Sequence, residues 1–145
     1  MTDVPLPEKL AAIQDDFLAL DQRERLQLLL EFSQSLPELP ERYLNHPDMF
    51  EQVIECQSPV FLFVELHDDV VRIFVTAPKE SPTTRGFASI LVEGLDGLSA
   101  AEVLAVPSDY PLTIGLTEAV SPLRIRGMMG ILARIQRQVR EKSAA

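Results

Sequence analysis

The sequence predicts an α+β fold: a small antiparallel sheet built around a central hairpin, packed against N-terminal and C-terminal helices. Two observations carry this expectation. Apolar residues recur at spacings of three and four toward both ends of the chain, the mark of amphipathic helices. Between them, two short aromatic and β-branched runs flank a polar break, with no strand and helix alternation of the kind that builds a parallel sheet. The 145 residues, 46% hydrophobic and 24% charged, make one domain spanning 1–145, with enough chain to bury a core unaided.

Taken in order, Leu6, Leu10, Ile13, Phe17 and Leu20 form the stripe of a first helix opening near Pro5 or Pro7. Asp21 and Glu24 have the spacing of a capping box, and a second helix follows with Leu26, Leu29, Leu30 and Leu36 facing inward. Leu36-Pro37-Glu38-Leu39-Pro40 stops it, because each proline lacks a donor and disfavours helix in the residue before it. Residues 41–55 are polar and give no periodic signal. Residues 60–66 read as a continuous apolar strand, and Val71, Ile73 and Val75 alternate beyond His67-Asp68-Asp69, which makes a hairpin. Ser81-Pro82 is an N-cap and N1 pair for a helix carrying Phe87, Ile90 and Leu91, which ends in the Gly94 to Gly97 turn. Ser99 and Glu102 form a second capping box ahead of a short helix. Ser121-Pro122 opens the last helix, with Ile125, Met128, Leu132, Ile135 and Val139 in one stripe.

Composition excludes several classes of function. One cysteine cannot form an internal disulfide, a CxxC pair, a thiolate-rich zinc site or an iron–sulfur cluster held by this chain alone. His46 and His67 have no ligand spacing between them, so no metal site is expected. Phosphate-loop, dinucleotide and HExxH motifs are absent. The longest stretch without Asp, Glu, Lys or Arg runs only over residues 56–64, too short for a membrane span. Met1-Thr2-Asp3-Val4-Pro5 lacks a basic segment followed by an apolar one, and the expectation is a soluble cytoplasmic protein. Thirteen basic against 22 acidic residues give a net charge of −9, an acidic body that repels nucleic acid. Residues 124–145 alone carry +5, read as the solvated side of the last helix or as a docking face for an acidic protein.

Cys56 stands out by position. It lies in Glu55-Cys56-Gln57-Ser58-Pro59, at the mouth of the hairpin, where loops carry reactive groups, although a lone cysteine is also a common buried hydrophobe. Glu55 is adjacent and no basic residue lies within three positions, so the thiol is expected to stay protonated until a partner activates it. On a helical wheel Arg126, Arg134, Arg137 and Arg140 fall opposite the apolar stripe, while Arg124 falls at its flank and near N3, where a cation opposes the helix dipole.

Several segments, in order along the chain, resemble one family. Glu-Cys-Gln-Ser-Pro-Val-Phe-Leu at 55–62 resembles the Gly-Cys-Gln-Ser-x-Val-Trp-Leu signature of the SufE-like proteins. Residues 24–40, with their Leu-Pro-Glu-Leu-Pro end, are similar to that family's N-terminal helix and turn, and Arg85-Gly86-Phe87 to its Lys/Arg-Gly-Leu helix. Ser121-Pro122-Leu123-Arg124-Ile125-Arg126-Gly127-Met128 resembles Thr-Pro-Ser-Arg-x-x-Gly-Leu. The resemblance implies a cytoplasmic sulfur acceptor in iron–sulfur cluster assembly. On that reading Cys56 takes persulfide sulfur from a cysteine desulfurase of the SufS or CsdA type and enhances its turnover. The sulfur then passes to a downstream scaffold complex, and the carrier needs no cofactor. The resemblance likewise implies a sulfurtransferase-like accessory protein rather than an independent enzyme. Glu55, Gln57, Ser58 and Arg124 are the implied partner contacts. The alternative for Arg124 is a local salt bridge to Glu118, and Asp109 and Tyr110 are candidate rim residues.

The chain departs from the pattern at Glu55, where the family has Gly, at Thr76-Ala77-Pro78-Lys79-Glu80-Ser81-Pro82, where Glu80 is nearest the family's acid, and at Phe61 for Trp. The added charge of Glu55 is expected to raise the thiol pKa. Two other readings are a binding module that docks a partner without chemistry and, less favoured, a cysteine hydrolase pairing Cys56 with His46.

Overall fold

The computed structural model describes residues 5–144, so residues 1–4, on which the absence of a leader is read, lie outside the described part. Helix α1 (Glu8–Leu18) begins just after Pro7 and buries Leu10, Ile13 and Phe17. Helix α2 (Gln22–Ser33) opens on the expected capping box: Asp21 Oδ1 accepts from the Glu24 N–H at 2.9 Å and Glu24 Oε1 from the Asp21 N–H at 3.2 Å.

The inward face of α2 differs from the expected one. Leu26 and Leu30 are 38% and 39% exposed, while Leu28, Leu29 and Phe32 pack on the core. The cause is Arg25, whose Nε donates to Phe17 O at 2.8 Å and whose Nη1 donates to Gly115 O at 2.9 Å. Reaching the end of α1 at Phe17 O and the backbone at Gly115 O places Arg25 on the inward side, and with it the stripe of Leu29 and Phe32, while Leu26 and Leu30 roll outward.

Strands β2 (Phe61–His67) and β3 (Val70–Thr76) form the hairpin, antiparallel from Phe61↔Thr76 to His67↔Val70. Asp68 and Asp69 occupy the left-handed region at φ 51 and 59, as a two-residue turn between right-twisted strands requires. One face buries Leu62, Val64, Val71, Ile73 and Val75. The other is covered by Tyr43, whose ring centroid lies 5.5 Å from Phe63 and 5.0 Å from Phe74, and by Phe50, 5.8 Å from Phe63. Covering on both sides explains why Phe61 to Val64 read as an uninterrupted apolar run before Glu65. The unassigned residues 41–55 supply that cover as two 3₁₀ turns, Glu41–Tyr43 and Pro47–Met49, and then pair as β1 (Glu51–Gln52) with β2, giving the sheet order β1-β2-β3.

Helix α3 (Pro82–Leu95), buried along most of its length, packs against α1, α2 and β3. Helix α4 (Ala100–Leu104) opens on the second capping box, with Ser99 Oγ accepting from the Glu102 N–H at 3.2 Å. Ser81 stands at the N-cap of α3 but gives no side-chain cap, because its hydroxyl bonds Ser58 at 2.6 Å instead. Helix α5 (Pro122–Ala144) packs against β2, α3 and α4. Beyond β1, the outer edge of β2 is closed by α5: Gln138 Oε1 accepts from the Val64 N–H at 2.9 Å and Lys142 donates to Val64 O. The outer edge of β3 is closed by Asp96 and by the backbone of Gly97 and Leu98. No helix among the described residues is long and apolar enough to cross a membrane.

Candidate functional site

Residues 53–60 leave β1 and return as β2, and the base of this loop is closed by a hydrogen bond from the Val53 N–H to Val60 O at 2.8 Å. The Cys56 N–H donates to Val53 O at 3.1 Å, a tight turn that points the side chain inward. The thiol donates to Gly127 O at 3.6 Å, near the start of α5, and Cys56 is 9% exposed. Burial pushes its pKa up to about 11, the charge of Glu55 adds to the rise, and Arg134 opposes it. The thiol is therefore held protonated at neutral pH.

Two glycines allow α5 to come this close. A Cβ on Gly127 would lie 3.2 Å from Cys56 Sγ, and one on Gly130 would lie 2.9 Å from the Cβ and Cδ of Glu55. Arg134, one turn further along the same face, donates from Nε and Nη2 to Glu55 Oε1 at 3.2 and 2.7 Å, and from Nη1 to Glu51 Oε2 at 2.5 Å. Glu51 is held as well by Gln138 at 2.9 Å and by Arg137. The bonds from Arg134 hold the Glu55 carboxyl below the usual range. Burial would raise Glu51, but the bonds from Gln138, Arg137 and Arg134 outweigh it and lower its pKa. Arg134 and Arg137 thus do not form a solvated face. Helical-wheel reasoning places them outside because it sees only the α5 stripe, and their acidic partners lie some eighty residues earlier in the chain.

A cleft of about 160 Å³ leads to Cys56 between Ser58, Glu80, Leu123 and Arg124. Gln57 is exposed at its rim, and Ser58 is tied to Ser81. Arg124 is exposed and forms no salt bridge among the described residues; Glu118, its expected alternative partner, accepts from Gln22. His46 does not line the cleft, which removes the geometric basis for a Cys–His pair. Tyr110 is no rim residue: it is buried and donates its hydroxyl to Leu10 O at 2.8 Å, while Asp109 is exposed away from the cleft. No group of three or more potential ligand side chains among the described residues is placed to hold a metal ion.

On the other side of Glu55 runs an apolar groove of about 620 Å³ walled by Leu112, Pro122, Ile125, Met129 and Ala133. Ile54, 74% exposed, stands on the loop itself. The groove, and the seat that Gly127, Gly130 and Arg134 make for the loop, escape a reading of the sequence. The signal for the seat is the spacing of 127, 130 and 134 along one helical face, which continues the glycine of the Ser121 to Met128 motif.

Comparison with known proteins places these features in a family. The SufE domain, described as Fe-S metabolism associated, matches residues 11–139. An uncharacterized SufE-like protein of Mycobacterium tuberculosis is 50% identical over 137 residues, covering 94% of each chain. A cysteine desulfuration protein SufE of Plasmodium falciparum is 26% identical over 130 residues, covering 77% of this chain and 52% of its own length. The solution structure of a hypothetical protein from Thermus thermophilus superposes with a TM-score of 0.84 at 36% identity, over 97% of this chain and all of that one. With the domain match spanning most of the residues that build the sheet, the helices and the cysteine loop, the chain belongs to the SufE family of iron–sulfur metabolism proteins.

Proposed function

We propose that Cys56 is a sulfur acceptor, taking persulfide sulfur from a cysteine desulfurase and passing it to an iron–sulfur scaffold. The observation that carries this reading is the placement of the chain's lone thiol: protonated, at the end of a narrow cleft, on a loop pinned to the start of α5. Once deprotonated, Cys56 attacks the terminal sulfur of the partner's persulfide. A new S–S bond forms to Cys56, the partner's S–S bond breaks, and its cysteine leaves as a thiolate that takes up the proton. Electrons balance without an outside oxidant. In this reading the whole chain, 1–145, works as one cofactor-free domain in the cytoplasm, and the loop's Glu55, Gln57 and Ser58 face the partner.

Two features support a transfer role over a purely docking one. A resting thiol with a pKa near 11, set by burial, stays unreactive toward oxidants and electrophiles until a partner deprotonates it. Arg124, exposed on the rim and unpaired among the described residues, offers a cation to an incoming thiolate or persulfide anion. Incubation with a desulfurase and cysteine, followed by intact-mass measurement, should add one sulfur to the wild type and none to Cys56→Ser. Absence of an adduct on the wild type would favour the binding module, with the apolar groove beside Glu55 as its docking face. Arg124→Ala is expected to slow loading by about tenfold, the loss of one charge-assisted contact, with the melting temperature unchanged.

A further inference from the structure

Cys56 and Glu55 are held by one face of α5 on which Gly127, Gly130 and Arg134 follow at spacings of three and four. Gly127 O receives the thiol at 3.6 Å, Gly130 leaves room for the Glu55 side chain, and Arg134 grips its carboxylate. The same guanidinium binds Glu51 of β1, which Gln138 and Arg137 fix independently. Arg134 is therefore anchored on the sheet side, and its bond to Glu55 is the charged contact among those the loop gives up in order to move, the others being the thiol to Gly127 O and Ser58 to Ser81. Where the SufE-like signature has glycine, no side chain could be gripped in this way.

We infer that Arg134 is a positioning residue that latches the cysteine loop through Glu55, and that Cys56 becomes reactive only after this ion pair parts. The functional meaning rests on the sulfur-acceptor reading, but the latch can be measured without a desulfurase.

Electrostatics and latching predict opposite effects, and this makes the test decisive. The charge of Arg134 favours the thiolate, while Glu55 disfavours it, so neutralising Arg134 without moving the loop would raise the thiol pKa and slow its alkylation. Releasing a latch would speed it. Iodoacetamide labelling of the full chain at fixed pH is expected to run about tenfold faster in Arg134→Gln than in the wild type, as for the loss of one charge-assisted contact. Arg134→Lys should return most of the way to the wild-type rate, because an ammonium still reaches one carboxylate. Glu55→Gln, a change at a half-exposed side chain, should also accelerate labelling, here by latch release and by loss of a charge that disfavours the thiolate together, and the discriminating result is that adding Arg134→Gln to it changes the rate little. Hydrogen exchange should rise at amides 54–58 and stay unchanged in β2 and β3.

Labelling in Arg134→Gln no faster than in the wild type would overturn the latch whatever Glu55→Gln does, because loss of the Glu55 charge speeds labelling by itself. So would acceleration accompanied by equal loss of protection across β2 and β3, which reports a loosened fold. Neither result touches the sulfur-loading experiment, and failure of that loading would leave the labelling rates as expected.

Discussion

Between pH 9 and pH 11 the wild type is expected to lose about 2 kcal/mol of stability that the Cys56→Ser variant keeps. The folded thiol titrates near 11, above the 9.0 of an unperturbed cysteine. Folding thus tightens proton binding at Cys56. The resulting stabilisation is present in full below the unfolded pKa and disappears as pH rises through the folded one. The full two-unit difference corresponds to ~2.7 kcal/mol, of which about 2 kcal/mol falls between pH 9 and pH 11, because the unfolded thiol is already half ionised at pH 9 and the folded one still half protonated at pH 11. Tyr43 and Tyr110 are raised, and Lys142 is lowered, by burial in both proteins, so their contributions cancel when the two are compared. Urea unfolding of each protein at pH 8 and pH 11 measures the difference. A constant gap between them would mean that the thiol is not desolvated in solution.

Gln138→Leu is expected to cost about 3 kcal/mol and to lower the melting temperature by roughly 10 °C. The side chain is buried, accepts from the Val64 N–H beyond the end of β1, and donates to Glu51. Leucine preserves the volume but leaves a strand N–H without an acceptor and removes one of the bonds that fix Glu51. An exposed glutamine provides the contrast: Gln22→Leu breaks only a surface contact with Glu118 and should shift stability by less than about 0.5 kcal/mol. Thermal unfolding followed by circular dichroism tests both, and equal small shifts would show that water replaces Gln138 at the strand edge.

The features legible in the sequence are those in which cause and effect are neighbours in the chain. Asp21 with Glu24, and Ser99 with Glu102, satisfy helix ends over three residues, and both boxes form as read. The β2–β3 hairpin follows from alternation around two aspartates that tolerate a left-handed turn. Strand β1 is not legible because two residues carry no period, and its existence depends on β2 lying alongside. The inward roll of Leu29 in place of Leu26 and Leu30 requires knowing that Arg25 reaches back to Phe17 and across to Gly115. At the site, the cysteine and its acidic neighbour are visible. The partner of that neighbour is not, because Glu55 and Arg134 meet only through the tertiary fold. Arg85 of the Arg-Gly-Phe motif is similar: its guanidinium donates to Ser33 O and Ala77 O, a bracing role that its position in the motif does not reveal.

Val53 and Val60, both fully buried, face each other across the neck of the cysteine loop through a single backbone bond. Between them residues 54–59 take part in no strand pairing, while the register of β2 with β3 is set below. An excursion of this loop would thereby be uncoupled from global unfolding, and its energetic cost would depend on the few contacts of six residues. Evolution can tune that cost at the loop without touching the hydrophobic interior.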